Sequence, residues 1–226
     1  MEALRLISVP ELIFEKDSRV ESEFLTRLQQ IYMKNRGNEP HTSDATLCPR
    51  LSLFRRFNPK PLDLKTLMFF IDGESRGYAA VIVFGEPSEV KGVDEYGIHF
   101  SLDVFDTISE APMELKSTRG NWLVEEHHYW LRQMAFYMLQ VPSDIIHLTV
   151  MRLNAKKGQA PFEFYTVRFA SEEARLKFNE YREWFADKWK IGIRDRNPAV
   201  FPRLNEFPSK FPCKDCPYKE ECRALV

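Results

Sequence analysis

The chain has 226 residues, 32 Lys+Arg against 33 Asp+Glu, 44% apolar residues and 13% aromatics. That composition excludes a disordered chain, nine glycines exclude a collagen-like one, and the length suits one sizeable domain with at most a small satellite. A net charge of −1 excludes binding to nucleic acid through bulk positive charge, so any such binding needs a local basic surface.

The longest apolar run, around Ala79–Phe84, falls well short of the ~20 residues of a membrane span. MEALRLISVPELIFEKD acquires acids early and has no small-residue cleavage site, so the expected setting is soluble and cytoplasmic, with no membrane partner.

In chain order, Phe24, Leu25, Leu28 and Ile31 recur at helical spacing within Val20–Lys34, and the polar break NRGNEP follows. Thr42 or Ser43 is placed to cap a helix through Leu47, Cys48, Leu51 and Phe54, which Asn58-Pro59 stops. Leu64–Ile71 reads as a helix and Tyr78–Phe84 as a strand. Between Tyr96 and Val104, Ile98, Phe100, Leu102 and Val104 alternate with polar residues, as in a half-buried strand. A short loop, DTISEA, leads to a second strand, PMELKST. Trp122–Leu139 has a long helical pattern, Ile145–Leu153 and Phe162–Phe169 form a hairpin pattern, and Glu172–Lys190 is an amphipathic helix with Ala174, Phe178, Tyr181, Phe185 and Trp189 along one side. The proline-rich stretch Asn197–Pro217 follows. An α/β or α+β core with a helical appendage fits this order. The basic clusters Arg50, Arg55, Arg56, Lys60 and Arg194, Arg196, Arg203, Lys210, Lys214 are the candidates for a local basic surface.

Three of the four cysteines, Cys213, Cys216 and Cys222, lie in FPCKDCPYKEECRA, and Cys48 stands far upstream. A C-x2-C pair points two thiolates at one ion, a third thiolate follows, and Cys48 is the only cysteine left to close a four-thiolate site. Zinc and an iron–sulfur cluster both accept such a set. Either would tie the two ends of the chain together, which by analogy with a long cross-linked loop contributes about 5 kcal/mol at most.

Period-two geometry puts Glu114 and Lys116 on one face of a strand, and Asp103 ends the strand before it. If the intervening loop makes a hairpin, the three groups converge. Two carboxylates bind a hard divalent cation such as Mg²⁺ or Mn²⁺, and a lysine beside them stabilises charge growing on a phosphate. Gln133 and Tyr137, four apart, share a helix face with Trp130 and Met134, where an amide and a phenol can orient that lysine.

The ordered set, C-P-R in a helix, then D, E-L-K, Q-x-x-x-Y and C-x-x-C-P-x-x-x-x-C, resembles the RecB-like branch of the PD-(D/E)XK nucleases that carry an iron–sulfur cluster. The likeness is greatest to the small CRISPR-associated exonucleases of the adaptation module, the fourth Cas family, and spans roughly Ser43 to Arg223. The resemblance implies one nuclease domain over 1–226, with a core at 64–190 and an iron–sulfur region formed by 41–60 and 191–226. It implies a [4Fe–4S] cluster on Cys48, Cys213, Cys216 and Cys222, and a Mg²⁺ or Mn²⁺ ion on Asp103, Glu114 and the Leu115 carbonyl. Lys116 becomes the catalytic lysine, Gln133 and Tyr137 the fourth motif, and Asp106 the rival to Asp103. The run from Gly97 favours Asp103. The implied partner is DNA, at single-stranded ends, and the implied task is trimming fragments for a CRISPR integrase. Repair or phage end resection is the alternative pathway. One position departs from the family: Gly73 is followed by ESRG, so Gly77 stands where a metal-binding histidine is usual, with His99, His127 or Glu74 as substitutes. That departure motivates a second reading, a weak or inactive module that binds DNA ends or docks a partner.

Overall fold

The computed structural model describes residues 18–32, 37–64, 66–68, 70–71, 90–106, 110–120, 123–141, 143–155, 160–203, 213 and 216–225. The expected strand Tyr78–Phe84, the Gly73–Gly77 run with Glu74, and Lys210 and Lys214 lie outside them.

The chain opens with α1 (Ser18–Tyr32), then α2 (Thr42–Thr46) and α3 (Pro49–Phe57). The single helix expected from Thr42 to Asn58 is therefore two. Pro49 forces the residue before it out of helical geometry, and Cys48 is extended, with φ −157° and ψ 104°. The residue preceding α2 is His41 rather than Thr42 or Ser43. Its backbone N–H donates to Asp44 Oδ2 at 2.9 Å. Residues 64, 66–68 and 70–71 are helical, as the Leu64–Ile71 pattern requires.

Next come β1 (Val90–Val93), β2 (His99–Leu102), β3 (Val104–Asp106) and β4 (Ala111–Thr118). The strand expected over Tyr96–Val104 is interrupted at Asp103. Before it, β2 pairs antiparallel with β1; after it, β3 pairs antiparallel with β4, Val104 opposite Met113. A 3₁₀ turn, Val124–Glu126, precedes α4 (His128–Gln140), so the helix begins later than Trp122. Then follow β5 (Ile146–Arg152), β6 (Phe162–Val167), the long α5 (Glu172–Arg194) and the short α6 (Lys219–Ala224). Ser171 starts α5 by accepting the Ala174 N–H on its hydroxyl.

The larger sheet has the order β3-β4-β5-β6. Only β4 and β5 are parallel, and α4 is the crossover between them. The architecture is mixed α/β, a mixed sheet flanked by helices. One core, Leu102, Trp130, Met134, Tyr137, Ile146, Leu148 and Val150, lies between α4 and the sheet. A second joins Ala45, Leu53, Ile98, Phe136, Phe185, Ala186, Trp189 and Phe201. Thus α4 serves both, presenting Met134 and Tyr137 to the sheet and Phe136 to the helical side. Each large apolar side chain buried in these cores contributes about 1.5–3 kcal/mol. Among the described residues no helix is long and apolar enough to cross a membrane.

Candidate functional site

The hairpin of β3 and β4 brings Asp103 to Glu114. Asp103 sits one residue beyond the Val104–Met113 pair, and its Oδ2 accepts the backbone N–H of Leu115 at 2.8 Å. Glu114 and Lys116 share a face of β4 and are ion-paired through Glu114 Oε1. By register that face carries Leu148 and Val150 of β5, the side on which α4 packs. Glu114 is only 2% exposed, and its second oxygen, Oε2, is buried without a hydrogen-bond partner.

Burial pushes the Glu114 carboxyl up to about 7; Lys116 opposes that shift and the negative charge of Asp103 adds to it. For Lys116, burial pulls the ammonium down, but Glu114 and Asp103 more than offset it and its pKa lies above the ordinary lysine value. The arrangement is a buried acid with one unsatisfied oxygen, a second acid held by a backbone N–H, and a lysine kept charged. An unsatisfied buried carboxylate oxygen is costly, and a divalent cation is the partner whose chemistry fits two carboxylates.

Gln133 and Tyr137 join the same region from α4. Gln133 Nε2 donates to the Tyr137 hydroxyl at 2.6 Å, and that hydroxyl donates to the Ser101 carbonyl at 2.7 Å. Their visible role is to hold β2 just ahead of Asp103. Asp106 pairs with Ala111, at the opposite end of the β3–β4 ladder from Glu114. His99 lies against His41 and His127 stacks on Trp130. Neither makes a third ligand with Asp103 and Glu114; among the described residues no group of three or more His, Cys, Asp or Glu could hold a metal ion.

The four cysteines are free of disulfides and partly buried. Burial pushes the Cys48 thiol up to about 12, with the Leu51 N–H opposing and Cys213, Cys216 and Cys222 each adding to the rise. Burial also raises Cys213, with Cys222 adding to it, and raises Cys216, where the Tyr218 N–H opposes and Cys213 and Cys222 add. Burial of this kind favours the neutral thiols, and the four cysteines are among the described residues in which no group of three or more could hold a metal ion.

In the basic cluster expected at the surface, Arg50 and Arg56 are instead buried, and Lys60 is half-buried in an ion pair. Arg56 pairs with Asp44 at 2.8 Å, both side chains under 8% exposed, and lies over Trp189. Arg50 reaches the Phe201 carbonyl and Cys222. Lys60 pairs with Glu221 and lies over Tyr218. In the second cluster, Arg194 pairs with Asp195, and Arg203 donates to the carbonyls of Arg223 and Leu225. Sequence reasoning named Arg50 as part of that basic surface and missed its burial. The signal was a cation in the first turn of a helix, where the dipole disfavours it, two residues after a cysteine.

No family model and no curated protein matches the chain. Among solved structures, the chain is similar to SSO0001, with a TM-score of 0.59 at 13% identity over 92% of this chain and 97% of that one. It is also similar to an alkaline exonuclease (LHK-Exo) from Laribacter hongkongensis, with a TM-score of 0.46 at 12% identity over 74% of this chain and 95% of that one. LHK-Exo in complex with dAMP gives 0.45 at 13% identity, over 78% and 95%. The likeness to SSO0001, which takes in nearly the whole of both chains, is one of fold.

Proposed function

We propose that this chain is a divalent-cation-dependent DNA nuclease, an exonuclease on single-stranded ends, with a [4Fe–4S] cluster on Cys48, Cys213, Cys216 and Cys222. The observation that carries the reading is the meeting of Asp103, Glu114 and Lys116, with Glu114 Oε2 buried and unpartnered. Asp103 and Glu114, with the Leu115 carbonyl, would hold Mg²⁺ or Mn²⁺. When bound, the ion supplies Lewis acidity toward a phosphate oxygen and makes water a better nucleophile at neutral pH. Lys116 stabilises the negative charge that grows on the phosphate as the bond to water forms. Leu115 orients Asp103 through its N–H, and Tyr137, steadied by Gln133, fixes the strand that delivers Asp103. The sequence resemblance supports prespacer trimming beside a CRISPR integrase as the biological setting.

The test is degradation of end-labelled single-stranded DNA by anaerobically purified protein with Mn²⁺. The parent degrades it, and Lys116→Ala binds the DNA but does not. Equal cutting by both overturns the assignment. One observation favours the second reading, a DNA-end-binding module of the same fold: among the described residues no third metal-ligating side chain joins Asp103 and Glu114. Tight binding by the parent with no turnover under Mg²⁺ or Mn²⁺ establishes that reading instead.

A further inference from the structure

The outer strand β6 carries Phe164, the most exposed large apolar side chain among the described residues. Side chains of β6 alternate between the two sides of the sheet. Glu163, Tyr165 and Val167 face the same way as Val150, Leu148 and Ile146, and Phe169 just beyond the strand packs on that same core. Phe162, Phe164 and Thr166 therefore face away from α4, and Arg168 follows on their side. All four are exposed, Phe162 by 44% and Phe164 by 75%. Opposite them on β5 are Met151, Thr149 and His147, with Thr166 Oγ1 at 3.3 Å from His147 Nδ1. The same face of β4 carries Met113, Leu115 and Ser117. No acid stands among these residues, since Glu114 and Glu163 lie on the other face, and among the described residues no carboxylate pairs with Arg168.

Two neighbouring phenyl rings beside a cation, free of acids, suit a nucleic-acid strand better than a second copy of the chain. Aromatic side chains bury about 150–250 Å² each, so the exposed parts of these two amount to roughly 300 Å² at most. A homodimer buries about 800 Å² per partner, roughly 65% of it apolar, which this patch does not approach. A single strand needs less: flat apolar faces for its bases and a cation for its phosphates. Same-face residues of a strand stand about 7 Å apart, which leaves room for one base on each ring and puts Arg168 about 13 Å beyond Phe164. Four-stranded sheets that stack two or three bases on the aromatics of one face are a general means of holding single strands.

We propose that Phe162, Phe164 and Arg168 form a stacking platform for single-stranded DNA, separate from the cutting site. Phe162 and Phe164 each take a base, and Arg168 takes a backbone phosphate. The choice of DNA as the ligand rests on the nuclease reading above. Glu114 and Lys116 lie two strands away, on the opposite face of the sheet. DNA held on the platform passes around β6, the outer strand of the described sheet, to reach them. The platform grips the substrate away from the bond that breaks, so it contributes affinity rather than chemistry.

The test is a fluorescence-anisotropy titration of labelled oligothymidylate with the anaerobically purified protein, without added divalent cation and at several salt concentrations. Parent, Phe164→Ala, Phe164→Leu, Phe164→Trp and Arg168→Gln are compared, with the oligomeric state of each from sedimentation velocity. The expected result is binding about 5- to 100-fold weaker in Phe164→Ala and in Phe164→Leu, which keeps an apolar side chain but has no flat face, and binding like the parent's in Phe164→Trp. Arg168→Gln should reduce the slope of log affinity against log salt by about 0.7, the share of one phosphate contact. Phe164→Ala and Arg168→Gln with the parent's affinity and slope overturn the proposal. So does a Phe164→Ala variant that sediments as a smaller species with unchanged DNA affinity, since the patch then joins copies of the chain. If a variant does not fold, photocrosslinking of the parent to bromodeoxyuridine-substituted DNA decides: a crosslink within β6 supports the platform, and crosslinks confined to other elements refute it. A parent that binds no single-stranded DNA defeats the nuclease reading as well, whereas equal binding by parent and variants defeats only the platform.

Discussion

The Tyr137 hydroxyl donates to the Ser101 carbonyl at 2.7 Å, two residues before Asp103, so a helix of the core fixes the strand that delivers a candidate metal ligand. Asp103 is where the chain leaves the β1 ladder and joins the β4 ladder, so no single sheet fixes its backbone on both sides. Tyr137, 3% exposed, supplies restraint just ahead of that switch.

Tyr137→Phe keeps the ring in the core and removes only the hydroxyl. The expected loss is about 1 kcal/mol of stability, the typical worth of one such hydrogen bond, read as a lower urea midpoint with an unchanged slope. On the nuclease reading, turnover falls by more than the stability change accounts for, because Asp103 is less well placed, while DNA affinity holds. An activity equal to the parent's would make the bond a packing detail.

Much of this was legible locally. Period-two alternation in PMELKST put Glu114 and Lys116 on one face of β4, and helical spacing found α4 and α5. The cut at Cys48 was legible too, in the effect of Pro49 on the residue before it, but the apolar spacing across Leu47, Leu51 and Phe54 hid it. The break at Asp103 had no such sign. A ladder switch depends on which strands lie to either side, and no glycine or proline marks it. The basic residues of α3, and Lys60 just after it, misled for a related reason. Taken singly, Arg50, Arg56 and Lys60 read as solvated charges. Their partners are Phe201, Asp44 and Glu221, which only the tertiary fold brings near.

The Arg56–Asp44 pair gives a second prediction. Both side chains are buried, the contact is 2.8 Å, and it ties α3 to α2. Breaking a buried pair from one side leaves an uncompensated charge and costs about 3–5 kcal/mol. Asp44→Asn should destabilise the protein by that order in urea unfolding. Asp44→Asn combined with Arg56→Met should recover part of the loss, since no uncompensated guanidinium is left and the asparagine amide oxygen still accepts the His41 N–H. A double-mutant cycle measures this directly, and a double variant no more stable than Asp44→Asn would refute it.

The last prediction concerns pH and His127, at the start of α4. Its ring stacks on Trp130, centroids 3.8 Å apart and planes 16° from parallel, and its Nε2 is buried without a hydrogen-bond partner. Burial first, and then the positive charge of Arg152, hold its pKa below the ordinary 6.5, against the pull of Glu126. The folded protein therefore binds this proton less readily than the unfolded chain. The stabilisation from a neutral His127 is complete above about 6.5 and is lost as pH falls through the lowered folded value. His127→Phe preserves the stack and removes the titration. Urea midpoints measured from neutral pH down into the acid range should fall more steeply for the parent than for His127→Phe, beginning near 6.5. Parallel curves would show that protonating the ring costs the fold nothing, and that its buried nitrogen gains a partner when charged.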